Sequence, residues 1–62
     1  MKISLKAARV NAELQQQEVA GKIGVAKATL RNWEDGSTSI PVEKFMKLCE
    51  MYGVKVEDIS VG

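Results

Sequence analysis

Apolar residues in this chain recur three or four positions apart in short groups, and the groups are separated by glycine, proline and small polar residues. That period is typical of helices with one buried face, whereas half-buried strands alternate at every second residue. The pattern therefore predicts an all-α fold, a compact bundle of four to five short helices. Because 62 residues leave room for one hydrophobic core, we expect a single domain over residues 1–62.

Capping residues set the predicted limits of the first three helices. Ser4 is a good N-cap and predicts a first helix from Leu5 to about Ala12. Gly24 is expected to end a second helix, from Gln16 to Ile23, because glycine adopts the left-handed backbone at low cost. A third helix is predicted from near Ala26 to about Glu34.

The second half of the chain predicts one longer helix and a final turn. The polar segment 35–39 has the composition of a loop, and Pro41 then opens a fourth helix, where its missing N–H costs nothing. Gly53 marks the end of that helix, and residues 56–59 predict one last short helical turn that closes the core. The buried stripe of the fourth helix is expected to consist of Phe45, Leu48, Cys49 and Tyr52.

The second and third helices have the spacing of a helix-turn-helix. Ala20 supplies the small residue where two steeply crossing helices approach, Gly24 makes the turn, and Val25 fills the corner. A plain helical hairpin produces a similar apolar stripe, so this pattern alone leaves both interpretations open. The residues expected to pack across the two helices are Val19, Ile23, Leu30 and Trp33.

Opposite its apolar side, the third helix carries polar residues suited to a groove of DNA. Lysine and arginine donate to guanine O6 and N7, asparagine pairs with adenine N6 and N7, and alanine meets the thymine methyl group. A generic solvated helix face is the alternative interpretation. We call this set the outward stripe, and it consists of Lys27, Ala28, Arg31 and Asn32.

Together with further positions, the helix-turn-helix spacing and the outward stripe make the chain resemble the Cro/repressor type of helix-turn-helix protein, the Xre family, over Leu5 to Ile59. The resemblance implies a lambda-repressor-like fold and a sequence-specific, repressor-like regulator of transcription that reads the major groove of double-stranded DNA. It also implies a structural ion pair between Arg9 and Glu34, for which two unrelated surface charges are the alternative. The matching positions are Arg9, Gln16, Ala20, Gly24, Leu30, 33–36 and 48–54.

The resemblance also assigns contacts with DNA. It places Lys27, Ala28 and Asn32 on bases and Arg31 on bases or phosphates. Gln16 is expected at a phosphate because the start of a helix offers free N–H groups and a favourable dipole. The hydroxyls of segment 37–39 correspond to the family's phosphate-binding loop, although a solvated loop would look the same. The residues predicted to contact the DNA backbone are Gln16, Lys22, Thr29, Ser37, Thr38 and Ser39.

Three residues depart from the family's pattern. Gln15 and Ala26 stand where serine or threonine commonly caps the second and third helices, and losing a good N-cap costs about 1 kcal/mol. Asp35 stands where asparagine is frequent, and a carboxylate there repels phosphates unless it turns aside to cap the loop. We therefore expect a third helix that frays at its start and weakened DNA binding.

Charge is polarised along the chain, although the net charge is only +1. Residues 1–31 hold six basic and two acidic residues, a balance of +4. Residues 32–62 hold three basic and six acidic residues, a balance of −3. The positive half favours a polyanionic partner, although two solvated faces would give the same distribution.

The residue types argue against catalysis. The chain has no histidine and one cysteine, Cys49, so no nucleophile–base pair or metal centre can be assembled. We expect no enzyme activity, no metal, no cofactor and no small-molecule site. No apolar segment has the length of a membrane span or the form of a signal peptide, and a lone cysteine suits a reducing compartment, which indicates the cytoplasm.

Two alternatives to a free-standing DNA-binding regulator stay open. One is a protein-interaction module or antitoxin-like regulatory subunit on the same fold, and the other is the DNA-binding fragment of a longer repressor. Because the family usually binds as a symmetric dimer, we also expect a homodimer. The dimer interface is expected on the fourth helix and the segment after it, where the candidate apolar contacts are Met46, Met51 and Val61.

Overall fold

The structure, a computed structural model, describes residues 2–60 and confirms the predicted helical bundle. Each of the four predicted helices is present, with its ends within one or two residues of the expected positions. Two very short strands and one turn of 3-10 helix complete the fold. In chain order the elements are β1 (Ile3–Ser4), α1 (Leu5–Asn11), α2 (Gln16–Ile23), α3 (Lys27–Asp35), α4 (Val42–Tyr52), the 3-10 turn (Val56–Asp58) and β2 (Ile59–Ser60).

The predicted capping residues act where the sequence placed them. The Oγ of Ser4 accepts a hydrogen bond of 3.0 Å from the Ala7 N–H and so caps α1. Gly24 follows α2 in the left-handed conformation, at a φ of 76°, and Gly53 follows α4 at 69°. At α2 the next N–H, that of Val25, bonds to the Ala20 carbonyl five residues back, which also accepts from the Gly24 N–H, so the chain leaving the helix is tied to its last turn.

The end of α1 has an unusual conformation that the sequence did not indicate. Glu13 has a φ of 60°, in the left-handed region that side chains with a Cβ disfavour. The Leu14 N–H bonds to the Arg9 carbonyl at 3.2 Å, as in the glycine-containing helix ends. Glu13 therefore occupies a position where glycine would be less strained.

One core unites all four helices, and its members match the predicted inner faces. The fully buried side chains include Val19 of α2, Leu30 of α3 and Leu48 of α4, and Trp33 and Tyr52 lie around them. Burial of this apolar surface is the main stabilising contribution for so small a domain. Within residues 2–60, no helix has both the length and the apolar character needed to span a bilayer.

The prediction for the last turn was partly wrong. Residues Val56–Asp58 form the 3-10 turn, but Ile59 belongs to β2, which pairs in parallel with β1 so that Ile59 lies opposite Ile3. Ile59 is only 3% exposed and still closes the core as expected. Ile59 forms a strand because the extended backbone after the 3-10 turn lies beside the extended residues before α1. The backbone N–H and C=O groups of the two segments can then bond to each other.

Candidate nucleic-acid interface

The inner face of α3 is anchored against α2. Leu30 is fully buried and Trp33 is 8% exposed, while Val19 and Ala20 of α2 are buried in the same core. Gly24 reverses the chain between the two helices, and Val25 lies half-buried at the corner. This arrangement is the helix-turn-helix that the sequence predicted.

The outward stripe lies on the opposite side of α3. Lys27, Ala28 and Arg31 are exposed and border one shallow depression of about 310 Å³, whereas Asn32 is half-buried. Thr29 lies on the flank of the helix and is also half-buried. Donors for guanine edges and a methyl group therefore share one surface, a combination that suits direct readout of bases. Among the described residues that line this depression Asn32, the candidate for adenine, is not included.

The other predicted phosphate contacts are accessible but spread around α3. Lys22 is exposed in the last turn of α2, close in sequence to the turn. The three hydroxyl residues Ser37, Thr38 and Ser39 are exposed in the loop between α3 and α4. Their contacts with DNA stay predictions.

Arg9 and Glu34 form the ion pair that the resemblance implies. The Arg9 Nε donates to Glu34 Oε2 at 2.7 Å and Nη2 donates to Oε1 at 3.3 Å. The side chains are 10% and 2% exposed, so the pair is largely removed from water. Arg9 Nη1 also donates to the Leu14 carbonyl at 2.9 Å, which ties the segment before α2 to the same guanidinium.

Gln16 joins this buried pair to the surface, a link that the sequence analysis missed. Its Nε2 donates to Glu34 Oε1 at 2.8 Å, and the residue is half-buried at the first position of α2. A polar depression of about 260 Å³ opens beside it. Within residues 2–60 no acidic side chain lines that depression, a composition that suits an anion; its lining residues are Arg9, Gln15, Gln16, Gln17 and Lys27.

The weak N-caps predicted from the sequence have different outcomes. Ala26 makes no side-chain hydrogen bond at the start of α3, so that helix begins uncapped as expected. At α2 the Gln15 N–H donates to Glu18 Oε1 at 3.4 Å, a long bond that satisfies the N–H of the cap residue itself and not the first-turn N–H that a serine or threonine would cap. The far end of α2 gains a contact that was not predicted, since Lys44 Nζ donates to the Ile23 carbonyl at 3.4 Å.

Tyr52 lies in the core close to the charges of the Arg9–Glu34 pair. The pKa of Tyr52 is raised to about 12, mainly by burial and also by the Glu34 carboxylate, while Arg9 acts in the opposite direction. Among the described residues the buried hydroxyl has no hydrogen-bond partner. Burial also raises the pKa of the neighbouring Cys49 thiol, which keeps it in the unreactive protonated form.

Comparisons with known proteins agree with this geometry. The profile of a family described as helix-turn-helix matches residues 5–59. The chain is similar to the cryptic phage CTXphi transcriptional repressor RstR of Vibrio cholerae, with 41% identity over 51 residues that cover 82% of this chain and 46% of that protein. It is also similar to an uncharacterized HTH-type transcriptional regulator of Methanocaldococcus jannaschii, with 34% identity over 61 residues, 98% of this chain and 92% of that protein. No solved structure matches the chain significantly.

The chain thus spans about half the length of the Vibrio repressor and nearly all of the Methanocaldococcus regulator. The matched family is one of DNA-binding regulators of transcription and not one of enzymes. The chain belongs to the Cro/repressor type of helix-turn-helix DNA-binding domain, the Xre family.

Proposed function

We propose that this chain is a sequence-specific regulator of transcription that reads the major groove of double-stranded DNA with α3. The observation that carries the proposal is the division of α3 into an anchored and a free side. Leu30 and Trp33 hold the helix in the core, while Lys27, Ala28 and Arg31 stay exposed with Asn32 beside them. Beyond its uncapped first turn, a helix held in this way presents base-reading groups without having to order itself on binding.

The phosphates on both sides of the groove provide most of the affinity in this proposal. Gln16 and Lys22 on α2 contact one strand, with Thr29 on α3 as a further contact. The hydroxyls of Ser37, Thr38 and Ser39 donate to the other strand. Such contacts release counterions and weaken with added salt, whatever the base sequence.

Occupancy of an operator is the mechanism of regulation, and repression is its expected result. Blocking a promoter needs only tight binding, and one similar protein is named a transcriptional repressor. A regulator of this kind acts where the chromosome lies, which in a prokaryote is the cytoplasm. The chain acts by itself as a single domain or as the DNA-binding part of a longer repressor, since the Vibrio protein is about twice the matched length.

Homodimer formation through α4 is part of the same proposal. Val42 is 73% exposed and Met46, one helical turn later, is 56% exposed, so the outer side of α4 carries adjacent apolar groups. Met51, the second predicted contact, is half-buried against the core, and the third, Val61, lies outside the described residues. Sedimentation of the wild type and Met46→Glu tests the interface: a dimer that the substitution dissociates supports it, and a wild-type monomer on its operator contradicts it.

Selection of bound duplexes from a random pool tests the proposed function. Enrichment of one motif, with affinity that falls steeply between about 50 and 200 mM salt, is the expected result. Two half-sites about one helical turn apart would further support the dimer. A pool that stays random, or binding that ignores salt, would favour the rival function as a protein-interaction module or antitoxin-like subunit.

A further inference from the structure

We propose that Glu34, whose carboxylate is too buried to touch DNA, positions the side-chain amide of Gln16 for the phosphate that Gln16 contacts. The inference rests on the proposed function, because it concerns how one of the predicted backbone contacts is made. It assigns Glu34 a second role besides holding Arg9.

The carboxylate of Glu34 is a fixed acceptor. Arg9 donates to both of its oxygens, at 2.7 and 3.3 Å, and the Glu34 side chain is 2% exposed. The remaining capacity of Oε1 is taken by Gln16 Nε2 at 2.8 Å. Since Arg9 also holds the Leu14 carbonyl, the carboxylate and the chain entering α2 are fixed relative to each other.

This acceptor selects one orientation of the Gln16 amide. A glutamine amide can turn by 180° and exchange its oxygen and nitrogen, and in open solvent the two orientations are nearly equivalent. Next to a carboxylate only the orientation with the NH₂ group inward forms a hydrogen bond, because the other places two oxygens together. The NH₂ group then uses one hydrogen on Glu34 and keeps the second for a ligand in the polar depression that Gln16 lines.

A donor oriented before binding loses less conformational entropy when the phosphate arrives. Gln17 provides the contrast, since it lines the same depression but is exposed. Among the described residues, Gln17 has no side-chain hydrogen bond within the chain. Of the two neighbouring side-chain amides, that of Gln16 is therefore the one already oriented for a phosphate, because it is hydrogen-bonded to Glu34.

The first test uses the wild-type protein without DNA and compares the side-chain amides of Gln16 and Gln17 by ¹⁵N relaxation. The expected heteronuclear NOE of the Gln16 side chain is close to that of the α2 backbone, whereas the Gln17 value is much lower. Equal mobility of the two amides would overturn the proposal. The measurement needs no substitution and no bound duplex, so it decides the positioning role even if the chain binds no DNA.

The second test replaces single phosphates by neutral methylphosphonates in the duplex obtained by selection. At one phosphate position, the replacement is expected to lower the affinity of the wild type about tenfold and to leave the affinity of Gln16→Ala unchanged. The double variant Arg9→Met with Glu34→Leu removes the acceptor without leaving an unpaired charge. For this variant, neutralising the Gln16 phosphate should lower the affinity by less than about threefold, while neutralising any other contacted phosphate should lower it as much as in the wild type.

Arg9→Lys is the matched control, because it weakens the ion pair but keeps Glu34 next to Gln16. It should retain the full penalty at the Gln16 phosphate, with affinities expressed per folded molecule. Full retention of the penalty in the double variant, or an equal loss at every phosphate, would show that Glu34 is only structural.

Discussion

The Nε of Arg9 lies 2.7 Å from Oε2 of Glu34, although 25 positions separate the two residues in sequence. The contact ties α1 to the last turn of α3, the helix that carries the outward stripe. Because the Glu34 side chain is only 2% exposed, its charge would be stranded in the protein interior without Arg9.

Removing either charge alone should therefore destabilise the domain severely. Arg9→Met and Glu34→Leu are each expected to lower the free energy of unfolding by about 3–5 kcal/mol, most of the stability of a domain of this size. Urea denaturation followed by circular dichroism measures the loss. The double variant should lose less than either single variant, because it leaves no unpaired charge; single variants as stable as the wild type would show that the pair contributes little in solution.

Tyr52→Phe should leave the stability at neutral pH unchanged or raise it by up to about 1 kcal/mol, since the hydroxyl is buried with no partner among the described residues. The pH dependence has a definite sign. A pKa of about 12 in the folded state, above the ordinary value of 10.0, means that the unfolded chain releases the proton first. The wild type should thus lose stability relative to Tyr52→Phe between pH 10 and about 12. Parallel curves for the two proteins over that interval would contradict the burial of the hydroxyl.

Glu13→Gly should stabilise the domain, because residue 13 has a φ of 60° that glycine adopts more readily. Glu13→Ala is the control, since it removes the same charge next to the helix end but keeps the Cβ. The glycine variant is expected to exceed the alanine variant by about 1 kcal/mol in thermal unfolding. A glycine variant less stable than the alanine variant would mean that the left-handed conformation is absent in solution.

Asp35→Asn should strengthen DNA binding by about threefold at low salt. Asp35 is exposed at the end of α3, and in the described part of the chain its carboxylate makes no hydrogen bond that would turn it from a nearby phosphate. Glu57→Gln makes the same charge change at an exposed position after α4 and should alter the affinity little. Fluorescence anisotropy at two salt concentrations separates the two variants; an equal gain in both would attribute the effect to net charge alone.

The predictable parts of this molecule were those with local causes. Ser4, Gly24 and Gly53 indicated helix ends through their own backbone and side-chain preferences, and the apolar period of α4 placed Leu48 and Tyr52 in the core. These signals depend only on neighbouring residues, so they are readable before the fold is known.

The parts that escaped prediction depend on contacts between distant segments. The pairing of Ile3 with Ile59 involves strands of two residues, too short for any alternating pattern. The hydrogen bond between Gln16 and Glu34 can be predicted only when the crossing of α2 and α3 is known. The left-handed conformation at residue 13 is not indicated by the sequence, because the residue there is glutamate and not glycine. Such features follow from tertiary packing, which overrides local preference.

The role of the outward stripe is tested most directly by comparing Asn32→Ala with Lys22→Ala on the selected duplex and on a scrambled one. If α3 reads bases, Asn32→Ala loses about tenfold or more on the selected duplex and almost nothing on the scrambled one, while Lys22→Ala weakens both by the same factor. Equal losses on the two duplexes for Asn32→Ala would remove this residue from base readout.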